Sequence, residues 1–175
     1  MKPEWGLTDL GSSQAERAGE QMAEIFKQEP IGGERIVILS SPFSRAYETA
    51  ARVGSHLDVH LHDSRFRKVD ALAERYFGSE LEGKSASLYG GVWEEDEKDI
   101  TKRPDGGGES VNDVAGRLEQ LIYSIEDEYQ NHFIILTSHG DSLSILQSVL
   151  KNSDKRKHRQ YGLLNCEVCR IDPTQ

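Results

Sequence analysis

Apolar positions recur at helical spacing at Ala15, Ala18, Met22, Ile25 and Phe26, downstream of Thr8, whose hydroxyl suits a helix N-cap. A turn over Gln28–Glu34, marked by Pro30, Gly32 and Gly33, leads into the apolar run Ile36–Leu39, which reads as a buried strand. That run enters Ser40-Ser-Pro-Phe-Ser-Arg45, where Ser41 suits a cap and Pro42 the first helical position. The helix it opens is expected to reach about Leu57, with a short strand at Val59–Leu61 beyond it. Further on, Ser110 caps another helix with Asp113 at the capping-box position, and Val111, Val114, Leu118, Leu121, Ile122 and Ile125 make its apolar face. A second buried run, Phe133–Thr137, ends in Ser138-His139-Gly140-Asp141 and opens a helix from about Ser142 to Leu150. A basic loop, Lys151–Arg159, and a last strand at Leu163–Ile171 complete the pattern.

Strands alternating with helices predict an α/β domain of three layers, α/β/α. The 175 residues suit one domain over 1–175 with a substantial core. The stretch from about 64 to 108 breaks the rhythm. It carries charges, glycines and aromatics without sustained periodicity, and ends in Arg103-Pro-Asp-Gly-Gly-Gly108. Long irregular insertions in compact domains usually serve function. The aromatic groups Arg75-Tyr-Phe77 and Tyr89–Trp93 favour an ordered cap over a linker.

Composition narrows the function. A formal charge of −9 argues against a general nucleic-acid or membrane-surface binder, while leaving room for a local basic pocket. No apolar stretch approaches a membrane span, and Met1–Trp5 lacks a signal peptide's apolar core, so a cytoplasmic location is expected. The two cysteines, Cys166 and Cys169, fall in the last expected strand, where period-2 geometry puts them on opposite faces and disfavours a redox pair.

His139 and Arg45 carry the clearest chemical signal. In an open α/β sheet, ligands bind outside the carboxyl ends of the strands. Both residues lie at such ends, His139 in the turn after one strand and Arg45 in the first helical turn after another. A guanidinium forks onto phosphate oxygens, helix amides add positive potential, and Gly140 permits close approach. The pair therefore implies an oxyanion pocket, most simply for phosphate. Ser40, Ser41 and Ser44 lack the G-x-S-x-G elbow of serine nucleophiles and read as turn and cap residues. Glu74 could act as a general acid if the cap half-buries it; from its neighbours alone it reads as a solvated carboxylate. The Lys151–Arg159 run reads as a solvated loop that could guide anionic substrates. His60 and His62 would share a strand face with no third ligand evident, and metal-dependent hydrolysis through His139 and Asp141 is a weaker alternative.

Taken together the segments resemble the histidine phosphatase superfamily, with its phosphoglycerate mutase-like fold. Leu7-Thr-Asp-Leu-Gly11 with Gln14 and Ala15, then Ser40–Ala46 with Thr49 and Ala50, match its early signature. Glu74-Arg-Tyr-Phe-Gly78 looks like the segment bearing its acid, and Gly107-Gly-Glu-Ser110, Arg117 and Ser138-His-Gly140 match later motifs. The order is collinear over nearly the whole chain, and the variants look closest to phosphoglycerate mutase-like phosphatases of plant and microbial type. The resemblance implies two-step phosphoryl transfer through phosphohistidine, without metal or organic cofactor, on a small phosphorylated substrate. It implies Glu74 and His139 as catalytic residues and Arg45, Arg75, Tyr76 and Gly140 as substrate ligands.

One departure matters. The family's nucleophile sits in an Arg-His-Gly motif ending a first strand that precedes the Leu-Thr-x-Leu-Gly segment, and no Arg-His-Gly occurs here. The chain is expected to start after that strand, which would normally lie between the strands leading to Arg45 and His139. Those strands would then pair with each other, leave a gap, or receive a strand from another chain, which makes a homodimer an option. Phosphatase activity is expected to be impaired, and the alternative is a non-catalytic phosphate-binding or interaction pseudoenzyme.

Overall fold

The structure is a computed structural model that describes residues 4–29 and 32–171, so Pro30 of the expected turn lies outside the described residues. Helix α1 spans Asp9–Lys27, and Thr8 caps it by accepting from the Gly11 amide at 3.1 Å. Strand β1, Ile36–Ser40, leads into helix α2, Ser44–His56; strand β2, Phe66–Lys68, follows. Helix α3, Gly90–Asp96, belongs to the cap. Helix α4, Val111–Glu128, strand β3, Phe133–Thr137, and helix α5, Gly140–Leu150, come next, and a kinked 3-10 segment spans Lys155–Tyr161.

The sheet is parallel with order β2-β1-β3. Central β1 is buried along its whole length, and its alternation divides the core. Ile36 and Ile38 face Ala18 of α1 and Ala50 and Val53 of α2. Val37 and Leu39 face Val114, Ala115 and Leu118 of α4 and Ile145 of α5. Period-2 projection from one strand thus feeds two helical layers, and the α/β/α sandwich is the result. The capping box at α4 forms as expected, Ser110 Oγ accepting from the Asp113 amide and Asp113 Oδ2 from the Ser110 amide.

Of the three options for the strands leading to Arg45 and His139, the structure takes direct pairing: β1 and β3 pair from Ile36↔Phe133 to Ser40↔Thr137, and among the described residues β3 forms an edge. Four expectations change. The second strand falls at Phe66–Lys68 rather than Val59–Leu61. Val59 is fully buried, but its amide donates to Gly54 O at 2.9 Å and closes the end of α2 instead of joining a ladder. Gly54 allows that approach, since a Cβ there would stand 2.3 Å from Val59 O. Leu163–Ile171 makes no strand: Cys166 has φ +58°, and the Leu164 amide donates to Glu167 Oε2 at 2.7 Å, so the backbone turns. Helix α2 starts two residues later than Pro42 suggested, with Phe43 as N-cap, and Ser41 Oγ accepts from the Phe43 amide at 3.2 Å in the turn before it. The cap, finally, is less irregular than its composition suggested, since it holds β2 and α3.

Candidate active site

The carboxyl ends of β1 and β3 lie side by side, joined by a bond from the Ser41 amide to Thr137 O at 2.8 Å. From one end α2 presents Arg45 as its second residue; from the other, His139 serves as N-cap of α5. Arg45 sits 5.1 Å above the Phe43 ring, and the Glu74 and Glu82 carboxyls and the Tyr89 phenol surround it. Burial lowers its pKa while those neighbours raise it. The His139 ring packs against Phe43 in a tilted contact, 5.1 Å between centroids, and its Nε2 lies 2.8 Å from Ser41 Oγ. Burial above all, then the Arg45 and Arg117 charges, hold its pKa down to about 3, so the imidazole is neutral near pH 7.

Glu74 departs from the solvated reading. Its carboxyl is half-buried at the start of α5, where Oε1 accepts from the Arg75 amide at 2.9 Å and from the Ser142 amide and hydroxyl at 3.2 Å each. The cause is the turn at Asp70–Leu72. Leu72 is fully buried, and the following backbone is fastened by Arg117 to Ala71 O and Ala73 O, at 2.6 and 3.1 Å, and by Ser142 Oγ to Ala73 O at 2.9 Å. Burial, with the Asp141 charge second, raises the Glu74 pKa against the bonds that lower it. A proton donor for a leaving oxygen needs that direction of shift. The same carboxyl occupies a helix-start amide that was expected to face an anion.

Arg75, read from the sequence as a substrate ligand, has its guanidinium turned inward. Its side chain is fully buried, with Nη1 and Nη2 on Asp96 at 2.6 and 2.8 Å, Nη1 also on Asp141 at 3.1 Å, and Nε on Glu109 O at 2.9 Å. Asp141 in turn accepts from Trp93 Nε1 at 3.0 Å and Arg159 Nη1 at 3.3 Å, and His158 Nε2 lies 3.6 Å away. Burial pushes the Asp141 pKa up, but His158 and the Arg75 guanidinium outweigh it and hold the carboxyl below its ordinary range. One buried carboxylate thereby ties cap helix α3, the 3-10 segment and α5 together. His139 and Asp141 point to different partners, which removes the geometric basis for a shared metal.

A cleft of about 320 Å³ opens between the cap and the strand ends. Arg45, Glu74, Tyr76 and Gly140 line it, as do Phe43, Tyr89, Trp93 and Arg159. The last four were not among the residues singled out from the sequence. Tyr89 and Trp93 were visible only as an aromatic cluster, and Arg159 only as part of a basic run. His139 reaches the cleft less than expected: it is 8% exposed and shielded by Phe43.

The fold and the paired strand-end residues define a class. The chain belongs to the histidine phosphatase superfamily (branch 1), whose model matches residues 2–175. It is 29% identical over 172 residues to the probable phosphoglycerate mutase of Salmonella paratyphi C, covering 95% of this chain and 73% of that protein. Among solved structures, mycobacterial glucosyl-3-phosphoglycerate phosphatase in complex with inorganic phosphate superposes with a TM-score of 0.67 at 25% identity, over 89% of this chain and 73% of that one. A phosphoserine phosphatase mutant from Entamoeba histolytica, in complex with phosphoserine, shares the fold with a TM-score of 0.69 at 22% identity, covering 92% and 75% of the two chains. Among the described residues no helix is long and apolar enough to cross a membrane.

Proposed function

We propose that the cleft seats the phosphoryl group of a small phosphomonoester, or inorganic phosphate, against Arg45 and the Gly140 end of α5. Glu74 holds the proton that a departing alkoxide needs. The observation that carries this reading is the convergence of Arg45, Glu74 and Gly140 on one cleft at the strand ends. Arg45 supplies fixed positive charge to equatorial oxygens, where it counts most as charge develops. No metal or organic cofactor enters this reading.

Turnover by this chain is weak in the same reading. Phosphohistidine chemistry needs an imidazole in line with the leaving oxygen, and the sequence has no Arg-His-Gly to supply one. His139 stands beside the phosphoryl site, where its part is electrostatic. A second reading, a phosphate-binding module without catalysis, draws on the Ser41–His139 bond at 2.8 Å and the burial of the imidazole, both of which hold it away from attack.

Steady-state hydrolysis of p-nitrophenyl phosphate by the parent, His139→Ala and Arg45→Ala decides between them. Weak turnover in the parent that both variants lose supports the enzyme. Equal inertness in all three, with phosphate still bound by the parent, supports the module.

A further inference from the structure

The junction of the 3-10 segment, cap helix α3 and the start of α5 holds one buried nitrogen without a partner. His158 is fully buried, and among the described residues its Nε2 is the one buried side-chain polar atom that makes no hydrogen bond. Its Nδ1 lies 3.1 Å from Lys155 O. A carbonyl oxygen only accepts, so Nδ1 carries a proton and donates. Nε2 faces Asp141 Oδ1 at 3.6 Å, beyond hydrogen-bond reach, and that carboxylate is only 3% exposed. This is the geometry of a neutral imidazole whose bare lone pair points at an anion. A proton on Nε2 turns the same contact into a charge-assisted bond, which needs closure from 3.6 Å to about 2.9 Å.

We propose that His158 is a proton-operated clamp on the cap: protonated at Nε2, it donates to Asp141 Oδ1 and draws the 3-10 segment onto α5; deprotonated, it lets go. Trp93 transmits the change, because its Nε1 donates to the same Asp141 oxygen at 3.0 Å and its side chain lines the cleft. The charges at the junction make the proton conditional. Arg75 and Arg159 bring two positive charges to Asp141, and Asp96 and Asp141 supply two negative ones. Burial and the Asp141 charge hold Glu74 toward its neutral form. Around His158 itself, Lys155 pairs with Glu119 of α4 at 3.6 Å and Arg156 with Asp154 at 2.9 Å, while Lys151 rests on the Tyr161 ring and Lys157 is exposed. Opposite charges balance without His158, so its proton is held by the one new bond to Asp141 and not by an unmatched anion. No ligand enters the clamp, which therefore stands apart from the phosphate reading.

Long-range 1H–15N correlation spectra of the parent over about pH 5–9, where histidines change charge, read His158 directly. Trp93 is followed in the same samples as 5-fluorotryptophan, in a Trp5→Phe background that leaves it the only tryptophan. As pH falls, Nε2 is expected to change from a bare to a protonated nitrogen while Nδ1 stays protonated. The Trp93 19F line is expected to move with the same midpoint. His158→Gln is expected to abolish that 19F response, and His60→Gln, which alters a surface ring, to keep it. An Nε2 that stays bare or stays protonated over the whole range overturns the clamp. So does a Trp93 line that ignores the His158 midpoint, or one that titrates unchanged in His158→Gln. The parent spectra decide on their own where the His158 variant does not fold.

Discussion

Arg75 and Asp96 form a two-pronged ion pair, at 2.6 and 2.8 Å, with both side chains almost wholly removed from solvent. The pair joins the loop that carries Glu74 to the end of cap helix α3. Removing one partner leaves the other as an uncompensated buried charge, which costs about 3–5 kcal/mol. Arg75→Met and Asp96→Asn are therefore each expected to lower the urea midpoint strongly. The double variant, which strands neither charge, should lose less than the sum of the two.

His139 gives stability a characteristic pH dependence. Its pKa is about 3 when folded, against 6.5 for an ordinary histidine. Between these values the unfolded chain binds a proton that the folded chain refuses, so stability is full above about 6.5 and falls as pH drops toward 3. The slope from this one group approaches about 1.4 kcal/mol per pH unit. His139→Gln is expected to flatten the acid limb of a stability-pH curve measured by urea unfolding. Parallel curves for parent and variant would contradict the buried neutral imidazole.

Glu74 works in the opposite sense. Burial and the Asp141 charge raise its folded pKa, so its contribution to stability is intact below the unfolded carboxylate range and is lost as pH rises through the folded value. Glu74→Gln, which cannot ionise, should become relatively more stable than the parent as pH increases above that range. Thermal unfolding across a pH series checks the sign, and a constant offset would mean that Glu74 ionises like a surface carboxylate.

The capping box at α4 is a local test of the frame. Ser110 Oγ accepts from the Asp113 amide at 3.1 Å, and the Ser110 side chain is buried. Ser110→Ala is expected to cost about 1 kcal/mol in chemical unfolding, the typical loss for a cap.

How much of this could be read from the chain alone follows from range. The apolar run at Ile36–Leu39 is continuous because β1 is buried on both faces, and that signal survives without tertiary knowledge; the run at Phe133–Thr137 reads the same way, though in β3 only Ile135 is buried. The same holds for Ser110 with Asp113, whose partners are three residues apart. Arg45 and Glu74 were legible as site candidates because their positions follow strand ends and a motif. The environment of Glu74 was not, because its burial is set by Arg117 and Ser142, 43 and 68 residues away in the chain. The inward turn of the Arg75 guanidinium was hidden for the same reason: it lines the cleft, but its partners Asp96 and Asp141 come from a cap helix and from α5. The Val59–Leu61 and Leu163–Ile171 segments have strand-like composition, yet a ladder partner decides whether a segment is a strand, and composition does not supply one.

The claim on which the rest depends is that Arg45 anchors a phosphoryl group in the cleft. Calorimetric titration of inorganic phosphate into the parent and Arg45→Ala, at pH 7 and fixed ionic strength, tests it most directly. The account predicts one site per chain in the parent and a loss of at least about tenfold in affinity in the variant. Equal affinity in the two proteins, or no binding to the parent at all, would contradict it.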